Sequence, residues 1–141
     1  MIYVEEKVFE RQIELLYLLS EREKFKICAW LYPDSNTREL AGFKVCQNKS
    51  KLDPITTYID GFEPLHTELV QATNENINAF ACAKSELGAN CDSLALYSQI
   101  SSSWVAAIVG HEGMCLVKSE EVLPILINSG FNASKEAPAW W

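Results

Sequence analysis

Apolar residues at positions 4, 8, 9, 13, 15, 16 and 19 form a broad face at near-helical spacing, which predicts a first helix from about Val4 to Glu23. Glu5 and Glu6 suit the positive end of its dipole, and Arg22 and Lys24 the negative end. The pattern then changes period. Phe25–Tyr32 is rich in strand formers, Pro33-Asp34-Ser35-Asn36 is a turn cluster, and Leu40–Gln47 sets Ala41, Phe43 and Val45 against Gly42 and Lys44. That alternation predicts a hairpin with one buried and one wet face. Asp53-Pro54, Asp60-Gly61 and Glu63-Pro64 break the following stretch into a loop. Leu65–Ala72 reads as a short helix. Thr73 or Asn74 is placed to cap a longer one, Glu75–Leu87, with Ile77, Phe80, Ala81 and Leu87 on one face and Gly88 as a left-handed stop.

The last third reads as strands Ser93–Gln99 and Ser103–Val109, then a tight Gly110-His111-Glu112-Gly113 turn into Met114–Val117. Ser119 is expected to cap a final helix through Asn128, with Gly130 just past its end. Pro124 lies deep for that start, so either the helix begins later or it tolerates one missing hydrogen bond. The order is helix, hairpin, helix, three-strand meander, helix. It predicts an α+β fold: one domain over residues 1–141, an antiparallel sheet of about five strands, and helices mainly on one face. Two strand-pair-plus-helix units can be drawn, but their residues do not match as a repeat. The element order is similar to that of type III secretion chaperones and of roadblock-like domains. For a chaperone, that resemblance implies a dimer cradling an extended segment in apolar grooves; fold alone does not carry function.

Charge changes the picture more than composition does. Hydrophobic residues at 48% and charged residues at 22% are ordinary globular values. No basic residue lies between Lys51 and Lys84, and the window 52–117 holds eight acids against the single base Lys84, so it carries the whole chain's net charge of −7. A concentrated acidic surface repels nucleic acid and anionic membrane and steers cationic partners. The start Met1-Ile2-Tyr3-Val4-Glu5-Glu6 lacks the pattern of a signal peptide, and the longest apolar run is far short of a span, so a cytoplasmic protein is expected. Five cysteines with no C-x-x-C pair fit that compartment, with Cys28, Cys46, Cys82 and Cys115 expected as reduced core thiols.

Candidate chemistry is sparse. Cys91 with His111 as base is a conceivable nucleophilic pair, against the simpler reading of Gly110–Gly113 as a hairpin turn. His66, Glu63 and Glu68 fall within six positions, yet their spacing diverges on a helix, so a solvated polar loop is preferred to a metal site. No phosphate-binding glycine loop is present, and neither metal nor cofactor is expected. Aromatic residues interleaved with carboxylates offer a protein interface: Asp53, Tyr58, Asp60, Phe62, Glu63 and Glu68, rings as anchors and charges as steering. The Trp140-Trp141 pair is expected to fold back in part or to meet a partner. Together these features predict a non-enzymatic, monomeric cytoplasmic binding module. The best match is an acidic immunity or inhibitor protein that neutralises a basic toxin such as a nuclease. A secretion chaperone is the alternative, with a small cysteine hydrolase behind both.

Overall fold

The computed structural model describes residues 1–55 and 63–141. Its centre is a seven-stranded antiparallel sheet in the order β5-β2-β6-β7-β8-β1-β9. The strands are β1 (Ile2–Glu5), β2 (Lys26–Leu31), β5 (Val70–Gln71), β6 (Cys91–Tyr97), β7 (Trp104–Val109), β8 (Met114–Val117) and β9 (Asn132–Ser134). A separate two-stranded hairpin joins β3 (Glu39–Leu40) to β4 (Phe43–Lys44). The helices are α1 (Phe9–Arg22), α2 (Asn74–Ala81), α3 (Lys84–Asn90) and α4 (Leu123–Asn128). The α+β class holds, and the sheet is larger than five strands.

Strand alternation divides the buried residues between two faces. Ile27, Ala29, Leu31, Leu94, Leu96, Ile108, Cys115, Val117, Ile2 and Val4 share one cluster with residues of all four helices, among them Leu16, Phe80, Leu87 and Leu126. The intervening residues Cys28, Trp30, Ala95 and Tyr97 form a second cluster with Leu52, Ile55, Leu69 and Trp104. Helices therefore cover one face, and the segment after β4 covers part of the other. A hydrogen-bond relay fastens that segment: Trp30 Nε1 donates to the Tyr97 hydroxyl at 2.9 Å, which donates to the Asp53 carbonyl at 2.7 Å.

Several elements differ from the sequence expectation. The first residues form β1, a strand inserted between β8 and β9, because Ile2 and Val4 alternate inward while helix α1 begins only at Phe9. The Phe25–Tyr32 strand does not pair with 40–47. β2 instead takes β6 and β5 as neighbours, and the return stretch turns on itself through Ala41 and Gly42, both at positive φ. That pair matches the two-residue hairpin turn whose twist suits its strands. The helix expected over Leu65–Ala72 is extended, with bridges from His66 to Trp30 and from Thr67 to Val45, because the outer edge of β2 recruits it.

Helix 75–87 breaks at Cys82–Ala83 into α2 and α3. Thr73 caps α2 as expected, its hydroxyl accepting from the Asn76 amide at 3.2 Å, while Gly88 lies inside α3 and stops nothing. The final helix starts later than Ser119: a 3₁₀ turn at Glu120–Val122 precedes α4, Pro124 sits in its first turn, and Ser119 makes no cap bond. Gly130 follows α4 as expected, and it takes the left-handed conformation there.

Candidate functional site

The stretch around Asp53 lies on the sheet face away from the helices, where Leu52 and Ile55 pack with Trp30 and Tyr97. Of the residues expected to bind a partner, Tyr58, Asp60 and Phe62 lie outside the described residues. Asp53, Glu63 and Glu68 are all exposed. Asp53 Oδ2 accepts from the Ser103 hydroxyl at 3.0 Å, Glu63 pairs with Lys49 at 3.3 Å, and Glu68 accepts from the Lys44 amide at 3.4 Å. Leu52, Ile55 and Leu69 hold this segment to the sheet. The rest of the acidic window disperses: Glu75 opens α2, Glu86 accepts from the Ala41 amide at 3.1 Å, and Asp92 is only 3% exposed.

His66 is buried at the root of this segment and does not face Glu63 and Glu68 as a ligand would. Its Nδ1 lies 2.6 Å from the Thr67 carbonyl, which must accept, so Nε2 is left to accept from the Ser50 hydroxyl at 2.6 Å. Burial against Trp30 pushes its pKa below the ordinary value, with the carbonyl contact opposing. Both nitrogens are occupied by this neutral tautomer. Among the described residues no group of three His, Cys, Asp or Glu is placed to hold a metal ion.

A second locus opens on the helix side, at the end of the sheet. Trp30 pairs with Ser93 and Leu31 with Cys91, so Asp92 is the extra residue of a β-bulge in β6. A bulge re-aims side chains, and here Cys91 and Asp92 both line a cleft of about 260 Å³ with His111, Tyr32, Lys7 and Phe9. His111 Nδ1 stands 3.7 Å from Asp92 Oδ1, Nε2 stands 3.7 Å from Glu112 Oε1, and the ring is tilted against Tyr32 with centroids 5.6 Å apart. Sequence reading paired Cys91 with His111. It missed Tyr32, Lys7 and Phe9, which come from three other parts of the chain and carry no local motif.

The thiol chemistry of this cleft is unfavourable. Burial pushes Cys91 up to about 12, and its Sγ donates to the Ser93 carbonyl at 3.3 Å. A thiol so protonated at neutral pH is a poor nucleophile. The turn beside it works as a structural device: Gly113 takes φ +63°, and a Cβ there would meet Lys7 Cγ at 2.7 Å. Gly110, at the other end of the turn, does not adopt positive φ.

Compared with family models, curated proteins and solved structures, the chain matches none of them. Among the described residues no helix is long and apolar enough to cross a membrane.

Proposed function

We propose that this chain is a non-enzymatic binding module of the immunity or inhibitor kind, which captures a basic protein such as a nuclease toxin in the cytoplasm. The observation that carries the reading is the segment following β4. It exposes Asp53, Glu63 and Glu68, and although Lys49 pairs with Glu63 at 3.3 Å, sequence 52–83 itself contains no base. Nucleases need cationic surfaces to hold phosphate backbones, and an acidic surface complements such a partner and speeds its approach. The packing of Leu52 and Ile55 on either side of Asp53, and of Leu69 next to Glu68, fixes the chain beside these two carboxylates before a partner arrives, which lowers the ordering cost of association.

A second reading, a small cysteine hydrolase, draws on the cleft that gathers Cys91, Asp92 and His111. The raised thiol of Cys91 argues against it.

The test is association kinetics with a cationic nuclease domain across ionic strength. Asp53→Lys and Glu68→Lys together should slow association about tenfold or more at low salt and flatten its salt dependence, with the fold intact. Wild-type rates in a folded double variant would overturn the electrostatic basis of the reading. Turnover of hydrolase substrates lost in both Cys91→Ser and His111→Ala would favour the second reading instead.

A further inference from the structure

Trp140 is held in place while remaining exposed. Its indole Nε1 donates to Glu5 Oε1 at 2.7 Å, and the other oxygen of the same carboxylate accepts from Asn132 Nδ2 at 3.0 Å. Glu5 belongs to β1 and Asn132 to β9, so the ring is fastened to two paired strands of the sheet. Its neighbour Trp141 packs edge-on, with centroids 6.0 Å apart at 84°. Despite this anchoring Trp140 stays 55% exposed. A clamped ring that still faces solvent has already lost the freedom that binding would otherwise remove, which is how an interface anchor is prepared.

The surroundings indicate what the ring would meet. Trp140 and Glu5 line a cleft with Glu112, His111 and Lys7, two carboxylates against one lysine. Both donors to Glu5 are neutral side chains, so neither forms an ion pair with it. A carboxylate offers about four lone-pair directions, and these two bonds use two of them. An indole face beside a carboxylate with acceptors to spare fits a planar guanidinium, which stacks on the ring and donates to the oxygens at once.

We infer that Trp140 and Glu5 form a docking site for an arginine side chain of a basic protein. The inference rests on the binding-module reading and places a contact of that partner on a surface sequence-distant from the acidic segment. The C-terminal tryptophans are then a specificity anchor, and the carboxylates of 53–68 act on approach.

The probe is a capped hexa-arginine peptide, titrated into the full chain while the indole N–H signals are followed by NMR. The Trp140 signal, identified by its absence in Trp140→Phe, should shift saturably while that of buried Trp30 stays. Trp140→Ala should weaken the peptide about tenfold, and Glu5→Gln, close in shape but uncharged, should weaken it severalfold without unfolding. A hexa-lysine peptide should bind less tightly than hexa-arginine. If Asp53→Lys with Glu68→Lys weakens the peptide while Trp140→Ala and Glu5→Gln do not, this site is overturned and the binding-module reading stands. If no signal responds to the peptide, both fall. If the Trp140 signal follows protein concentration in place of peptide, the surface belongs to a second copy of the chain and the arginine site is overturned.

Discussion

At the residue scale, burial decides which side chains can react. Cys28 and Cys115 are buried, and burial pushes the Cys115 thiol up to about 12, as it does Cys91. Cys46 is half-buried, and Cys82, expected in the core from its apolar neighbours, is exposed at the break between α2 and α3. Labelling of the native protein near pH 8 should therefore show one fast thiol, abolished by Cys82→Ser, with all five reacting after denaturation. Fast labelling at Cys91 would contradict the packing of the cleft. His66 supplies a second test. Its folded pKa is depressed by burial, so its contribution to stability is present above the unfolded value of 6.5 and is lost as pH falls through the window below it. Urea unfolding should show stability declining from pH 7.5 to 5.5, and His66→Gln should lessen that slope. An equal slope in the variant would place the titration elsewhere.

At the scale of elements, termini and turns were legible where one residue type has one conformational use. Thr73 as a cap, Gly130 after α4 and Gly113 in the turn between β7 and β8 were each readable for that reason. Gly113→Ala combines positive φ with a close approach to Lys7, so it should cost roughly 1–3 kcal/mol by denaturant unfolding. His111→Ala, at an exposed position of the same turn, should cost within about 0.5 kcal/mol. A large loss from His111→Ala alone would show that its approach to Asp92 holds the sheet end together. Boundaries were least legible where a period-2 pattern ran into a period-3.6 one. Val4 and Val8 are spaced as helix neighbours, yet Val4 is buried in β1 and Val8 is 52% exposed. The cue that could separate them is the Ile2/Val4 alternation, too short to stand without its partners β8 and β9.

At the scale of the whole molecule, the sheet limits its own association. Its edge strands, β5 and β9, have two and three residues, and short edges are poor templates for pairing with another chain. The native mass should be that of a monomer, 15.9 kDa. A stable dimer would favour the secretion-chaperone alternative, which needs paired grooves. Charge is also redistributed at this scale. The 52–117 window is continuous in sequence, but folding buries Asp92, sends Glu75 and Glu86 to helices, and leaves Asp53, Glu63 and Glu68 exposed outside the helices.

What the chain determined by itself was whatever neighbouring residues decide between them. That covers the main helix, the strands of the last third, the α2 cap and the acidic balance, because periodicity, capping and charge act over a few positions. Pairing did not belong to that set. β2 chose β6 across some sixty residues in place of the adjacent 40–47 stretch, and β1, β5 and β9 became strands only because an edge was waiting for them. The cleft depended on a bulge at Asp92 that exists only in register with β2, and the Trp140 clamp on a carboxylate 135 positions away. Hydrogen-bond partners and burial at such separations arise only in the folded chain, so tertiary structure alone decided the surfaces on which the proposed function rests.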